Sequence, residues 1–275
     1  MLLPRLAIPA LVLLAAAPGT AQSPGLFDGS PDQLKRYTDC MALARSEPLK
    51  ALPVAEKWQA GGGGLAARHC VALALFEAGR YGQAATALEA IARDMGHDRP
   101  GLRAELWAQA GQAFMEAGMA ERAADVQSRA LELESNDADL WLDRGLSYAA
   151  MRAWPRAIFD FDRALRLRPD DVEMLVLRAA AWRNAGNPAR AFDDAARALK
   201  LAPEHSEAML ERGFASLARG ERSQANNDFN TVLRLVPPSS IAAHRAQAGL
   251  RGEQPAPATS DAPPTPPAAK GGGKR

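Results

Sequence analysis

Two cysteines and one histidine are the residues of this sequence whose types could support metal binding or nucleophilic catalysis. Cys40 and Cys70 are its only cysteines, and His69 directly precedes the second of them. Two thiolates and one imidazole are one ligand short of a closed zinc site, and a Cys-His pair would form a nucleophile only if the histidine acted as its base. A lone pair of cysteines in an exported protein is first interpreted as a disulfide, which stabilises a loop of this length by about 3 to 4 kcal/mol. We therefore predict a Cys40–Cys70 disulfide, no metal site and no cofactor.

Charged residues also recur at a fixed interval, which could indicate either a ligand site or a structural ladder. Each arginine of the series is followed by an aspartate at a constant offset, and the pairs recur with a 34-residue period. A ligand site is usually unique, whereas a scaffold feature repeats, so we favour structural ion pairs between two helices of one unit. The predicted ladder comprises Arg144 with Asp160, Arg178 with Asp194, and Arg212 with Asp228.

A second acidic series has the same period and consists of Glu105, Asp139, Glu173 and Glu207. Each residue falls in the expected first turn of a helix, where a negative charge interacts favourably with the helix dipole. An acidic rim for a basic partner is the alternative interpretation of this series.

The elements that must position these residues follow the same period. In a frame that starts at Ala138, small residues, aromatic residues and a proline occupy set places. Most of them return when the frame is shifted by one period in either direction, although Ser135 replaces the proline in the preceding frame. In this frame they are Trp141, Gly145, Tyr148, Ala157, Phe161, Ala164 and Pro169. Glycine and alanine allow two helices to approach closely, aromatic rings fill the larger gaps, and the proline ends the second helix.

This pattern resembles the tetratricopeptide repeat, a unit of two antiparallel helices over about 34 residues. The resemblance implies an all-α fold, an α-solenoid of stacked antiparallel helix pairs that forms a superhelix. One pair cannot bury its apolar face alone, so we expect about six units and a C-terminal capping helix.

The period divides the chain into segments. We predict a signal peptide over 1–21, a linker over 22–31, two degenerate repeat-like units over 32–103, and a disordered tail rich in proline, alanine and glycine over 252–275. Between them we predict four full units over 104–137, 138–171, 172–205 and 206–239, and a capping helix over 240–251. In this count, residues 99–103 are an insertion between units.

The resemblance also implies where a partner would bind, because the first helix of each unit lines a concave groove in this family. The corresponding positions are mostly apolar, and none reproduces the Lys/Asn/Arg arrangement that clamps a terminal carboxylate in some members. They suit an apolar peptide groove, although the same side chains could instead pack against the protein's own inner layer or its capping helix. The predicted groove residues are Gln112, Met115, Leu142, Leu146, Val176, Ala180, Arg183, Leu210, Phe214 and Leu217.

The N-terminus predicts export. One cation, Arg5, precedes an apolar run that ends near Ala17, and small residues lead to Ala21, which is typical of a signal peptide cleaved after about that residue. The run is short for a membrane span, so we expect a periplasmic protein without a stable membrane anchor.

Composition narrows the function classes. The chain has 33 Lys and Arg residues against 32 Asp and Glu residues, which does not indicate a basic surface for nucleic acid. The glycine run at 61–64 lacks the Lys-Ser/Thr that follows in a phosphate-binding loop. We therefore expect no enzyme and no small-molecule substrate. The sequence predicts a scaffold in the bacterial cell envelope that binds a protein or peptide partner, and the alternative is a periplasmic chaperone-like holdase for unfolded or outer-membrane-bound chains.

Overall fold

A computed structural model of the protein describes residues 30–254. The predicted signal peptide, nearly all of the predicted linker and the predicted tail from residue 255 onward lie outside these residues. None of the helices over residues 30–254 is long and apolar enough to cross a bilayer.

The described part of the chain folds into thirteen helices. In chain order they are α1 (Pro31–Ser46), α2 (Pro48–Ala60), α3 (Gly64–Glu77), α4 (Tyr81–Asp94), α5 (Pro100–Glu116), α6 (Ala120–Leu133), α7 (Ala138–Ala150), α8 (Trp154–Leu167), α9 (Val172–Asn184), α10 (Pro188–Leu201), α11 (Ser206–Ala218), α12 (Arg222–Leu235) and α13 (Ile241–Leu250). This architecture confirms the predicted all-α solenoid.

The helices form six consecutive pairs, followed by α13. Residues 100–103, which the repeat period leaves between two units, belong to the first turn of α5. Pro169, Pro203 and Pro237 each lie two residues after the end of a second helix, where a proline cannot extend the helix. Ser240 caps α13 by accepting a hydrogen bond from the backbone N–H of Ala243.

From α3–α4 onward, the turn within each pair contains a residue with a left-handed backbone conformation. Gly118, Gly186 and Gly220 have φ angles of +72°, +79° and +81°, and they occupy the same place in their repeats. At the equivalent place between α7 and α8 the residue is Arg152, with a φ of +58°. This conformation favours glycine, so the turn between α7 and α8 is strained.

Close contact between the two helices of a pair depends on a glycine that faces a large side chain. A Cβ atom on Gly145 would lie 2.6 Å from Cε1 of Phe161, and one on Gly213 would lie 2.7 Å from Cε1 of Phe229. In the pair α9–α10 the same two positions hold Ala179 and Ala195, which are both fully buried. The combined volume of the two facing side chains, rather than the volume of either one alone, sets the distance between the two helices of a pair.

The first helices form the inner layer of the solenoid. Within residues 30–254, α1 contacts α3, α5 contacts α7, α9 contacts α11 and α11 contacts α13, whereas consecutive second helices make no comparable contacts. First helices of neighbouring units are therefore closer together than second helices, so the array curves with its first helices on the concave side.

Candidate functional site

The concave face is the candidate site, and its residues differ in how much they are exposed. Among the ten predicted groove residues, none is fully exposed. Seven are partly exposed, namely Gln112, Met115, Leu142, Leu146, Ala180, Arg183 and Leu217. The apolar ones among them rest on the core below, so a partner could contact one side of each.

The other three predicted groove residues are core residues. Val176 is 7% exposed, and Leu210 and Phe214 are fully buried in the same hydrophobic cluster. The Phe214 ring packs 4.9 Å from that of Phe229, and the guanidinium of Arg245 on α13 lies 5.7 Å from its centre. For these three residues the structure therefore matches the alternative interpretation, in which the side chains pack inside the protein, and neighbouring helices, α13 among them, contact this end of the inner layer.

A buried ion network closes the C-terminal end of the concave face. Glu211 accepts hydrogen bonds from Arg183 Nε at 2.8 Å and from Arg245 Nη2 at 2.7 Å, and Arg245 also binds Glu207. Burial raises the pKa of the Glu211 carboxyl, but the two guanidinium groups outweigh it and the pKa is lowered. Arg183 therefore serves within the protein, joining α9 to α11, while Arg245 joins α11 to α13.

A different carboxyl group lies in the middle of the concave face. Asp143 on α7 accepts a hydrogen bond of 3.3 Å from the amide of Gln112 on α5. Burial raises the pKa of Asp143 to about 7, the Gln112 amide opposes the shift, and the charges of Asp139 and Asp137 add to it. The surroundings of Asp143 therefore disfavour its ionised form, and carboxyl groups with such raised pKa values are common in functional sites.

Asp143, Glu211 and Arg245 were not among the predicted site residues. The sequence contains a signal for the first two, since each is an acidic residue at the same place in its repeat, between a leucine and the arginine of the ladder. Arg245 lies in the short helix α13, where the repeat signature has already ended.

The predicted arginine–aspartate pairs lie between the two helices of each unit, away from the concave face. Arg144 donates two hydrogen bonds of 2.8 Å to Asp160, and its third nitrogen binds Ser128 on α6 at 3.0 Å. Arg178 makes the same bidentate contact with Asp194 at 2.7 Å and reaches Asp162 on α8 at 3.0 Å.

The third pair differs in one respect. Arg212 binds Asp228 at 2.9 and 2.6 Å, but the residue equivalent to Ser128 and Asp162 is Ala196, whose side chain cannot accept a hydrogen bond. In the unit before the first pair, the equivalent positions hold Ala110 and Val126, which are both buried. The chain therefore contains an apolar version of the same contact.

At the N-terminal end, Cys40 on α1 and Cys70 on α3 are joined by a disulfide, with their Cα atoms 6.1 Å apart. His69 is buried beside it, with Nδ1 2.7 Å from the hydroxyl of Tyr37 and Nε2 2.9 Å from Oε1 of Gln109. Burial lowers the pKa of His69, which favours the neutral ring. Over residues 30–254, no group of three or more His, Cys, Asp or Glu side chains is arranged to hold a metal ion.

Part of the chain is similar in sequence to a known family of repeats. Residues 110–182 match the family model for the tetratricopeptide repeat. No curated protein sequence matches the chain.

Several solved structures share the fold. MamA from Desulfovibrio magneticus RS-1 is 19% identical, with a TM-score of 0.56 over 62% of this chain and 94% of that one. YrrB, described as a tetratricopeptide repeat protein with an unusual peptide-binding site, is 18% identical, with a TM-score of 0.55 over 70% of this chain and 96% of that one. At these identities the likeness concerns the fold alone. Residues 110–182 are thus similar to the tetratricopeptide repeat in sequence, and the stacked helix pairs of residues 30–254 share the fold of these repeat proteins.

Proposed function

We propose that this protein is a non-catalytic scaffold of the bacterial cell envelope that holds a partner polypeptide in its concave groove. The observation that carries the proposal is the partly exposed apolar surface formed by Met115, Leu142, Leu146 and Ala180 on α5, α7 and α9. Leu142 and Leu146 pack on the buried cluster around Phe161, so their positions are fixed before a partner arrives. A fixed apolar surface lowers the entropic cost of binding.

The shape of the surface favours a polypeptide over a small molecule. It extends along three consecutive first helices instead of closing into a cavity, and an extended or helical peptide is the ligand that fits such a groove. YrrB, which shares the fold, is described as having a peptide-binding site.

Two features support the location in the envelope. The N-terminal sequence has the charge and hydrophobicity pattern of an export signal. A disulfide such as Cys40–Cys70 persists in an oxidising compartment such as the bacterial periplasm.

The same apolar surface would suit a chaperone-like holdase, and the two functions differ in how many partners they bind. An adaptor has one stoichiometric partner, whereas a holdase binds many unfolded chains weakly. Photo-crosslinking residues placed at Met115 and Ala180 in the full chain, followed by analysis of envelope extracts, separates one dominant product from many.

The matched control has the crosslinking residue at Leu49 on α2, which is 76% exposed and lies outside the groove. We expect crosslinks from Met115 and Ala180 but not from Leu49, and we expect Leu146→Glu to abolish them while the circular dichroism spectrum stays helical. Equal crosslinking from Leu49, or capture that is unchanged by Leu146→Glu, would contradict the proposed groove.

A further inference from the structure

Asp143 and Glu211 occupy the same place in their repeats. They are separated by two repeat periods, and each follows the residue that corresponds to Leu142 or Leu210. The chain thus presents the same inner-face carboxyl position twice, and the two surroundings can be compared directly.

At Glu211, the position is filled from both sides by the protein itself. Arg183 approaches from the preceding first helix and Arg245 from the following one, and the Glu211 side chain is only 4% exposed. Arginine from a neighbouring helix is therefore a group that this position accommodates.

At Asp143, both arginines are missing. The residues in register with Arg183 and Arg245, again two repeat periods away, are Met115 and Leu177. Arg144, the next residue in the chain, directs its three nitrogens to Asp160 and Ser128 instead. In place of the two arginines, the neutral side-chain amide of Gln112 donates a hydrogen bond to Asp143.

The surroundings of Asp143 attract a cation. Burial raises the pKa of Glu105, and the negative charge of Asp137 raises it further. After burial, the charges of Asp139 and Asp137 raise the pKa of Asp143 in the same way. Arg168 binds Asp139, but Glu105 and Asp137 add negative charge near Asp143, and a positive side chain is complementary to this charge.

We propose that Asp143 binds the guanidinium group of an arginine that the partner polypeptide inserts into the groove, in the place that Arg183 and Arg245 fill at Glu211. The inference rests on the proposed function, since it requires a polypeptide in the groove. Leu142 precedes Asp143 in the chain, and Met115 and Leu177 are in register with Arg183 and Arg245, so apolar residues of the partner beside its arginine suit this part of the groove.

The partner is a separate chain in this proposal. The C-terminal segment of the protein itself carries Lys270, Lys274 and Arg275 outside the described residues. Binding of that segment to Asp143 is the competing outcome, and the experiment includes it.

The test selects randomised peptides displayed on phage with the full-length wild-type protein, with Asp143→Asn and with Asp125→Asn. Asp125 is an exposed residue of α6, outside the first-helix layer, and serves as the matched control. We expect wild type and Asp125→Asn to enrich peptides with an arginine between apolar residues, and Asp143→Asn to lose the arginine preference.

One selected peptide is then compared with its citrulline variant, which keeps the shape of arginine without the charge. Wild type should bind the citrulline peptide about ten- to a hundred-fold more weakly, whereas Asp143→Asn should bind the two peptides equally. Leu177→Arg, which supplies an internal guanidinium in register with Arg245, should also lose the preference.

The outcomes separate the two proposals. Enriched peptides without a basic residue, or an arginine preference that survives in Asp143→Asn, would overturn the role of Asp143 and leave the groove intact. If no peptide is enriched and no crosslink forms at Met115 or Ala180, the proposed function itself fails. If replacing Lys270, Lys274 and Arg275 by glutamine strengthens peptide binding about tenfold or more, the protein's own C-terminal segment is the occupant and the proposal of a separate partner is wrong.

Discussion

Gly145 and Phe161 are in such close contact that the glycine leaves no space for a methyl group, since its Cβ would lie 2.6 Å from Cε1 of the ring. The contact sets the distance between α7 and α8 and, through Phe161, the position of the surface on which Leu142 and Leu146 rest. The shape of the groove therefore depends on a residue that does not line it.

We expect Gly145→Ala to destabilise the protein by about 1 to 3 kcal/mol, because the added methyl group must displace a fully buried ring. Chemical denaturation monitored by circular dichroism measures the effect. Gly82→Ala on α4 is the control, since its Cβ has its nearest neighbour at 3.9 Å. Equal effects of the two substitutions would show that the close contact with Phe161 has no energetic role.

Arg152→Gly should stabilise the protein by about 0.5 to 1 kcal/mol, because glycine adopts a positive φ without steric cost. The backbone of Arg152 has a φ of +58°. The converse change, Gly186→Ala at the equivalent turn, should destabilise by about 1 kcal/mol. Thermal unfolding of both variants provides the measurement, and a loss of stability in Arg152→Gly would mean that the arginine side chain has a favourable contact that outweighs the strain.

Removing Arg212 alone should cost more than replacing both members of its pair. Arg212→Ala leaves the carboxylate of Asp228, whose side chain is 5% exposed, without its guanidinium, and such a loss costs about 3 to 5 kcal/mol. The double variant Arg212→Ala with Asp228→Val copies the Ala110 and Val126 contact that the chain already uses. We expect the double variant to be the more stable of the two by denaturant titration, and the reverse order would contradict this account of the ladder.

The stability of the protein should depend on pH through Asp143. Its pKa is raised from the ordinary 3.8 to about 7, so the folded state binds more protons than the unfolded state between these values. The free energy of unfolding therefore falls as pH rises from about 4 to about 7. Asp143→Asn removes this dependence and should be more stable than wild type by about 2 kcal/mol above pH 7.

The control for that pH dependence is Asp125→Asn, which replaces an exposed carboxyl and should change stability by less than about 0.5 kcal/mol at any pH. If Asp143→Asn and wild type show parallel pH profiles, Asp143 ionises in the folded state without cost.

Replacing Cys40 and Cys70 by alanine should lower stability by about 3 to 4 kcal/mol, because the disulfide closes a long loop in the unfolded chain. The loss should be confined to the N-terminal pairs, which hydrogen exchange can resolve. Mass spectrometry that found two free thiols in the exported protein would contradict both the disulfide and the proposed compartment.

The fold class could be predicted because the same packing problem recurs in each unit. One period after Ala164 the residue is again an alanine, Ala198. One period after Gly145 and Phe161, the pair Ala179 and Ala195 fills the same space with two small side chains. The sequence pattern therefore repeats wherever the contacts repeat.

Which residues of the inner face are exposed was harder to predict from the sequence. Whether an inner residue is open depends on the helix that follows in the stack, and α13 lies beyond the end of the period. Phe214 occupies a predicted groove position, yet it is buried and α13 contacts its helix. Asp143 and Glu211 occupy equivalent positions, and neighbours that do not repeat decide that only Glu211 is bound by arginine.

Both terminal parts of the array are attached to their neighbours, α1 to α3 by the disulfide and α13 to α11 by Arg245. A stack of repeats loses structure first at its terminal units, since each of these has only one neighbour. These attachments therefore oppose fraying at the two places where the stack has least support. The two attachments respond to different conditions, because a reductant opens the disulfide and protonation of Glu211 weakens the ion pair with Arg245.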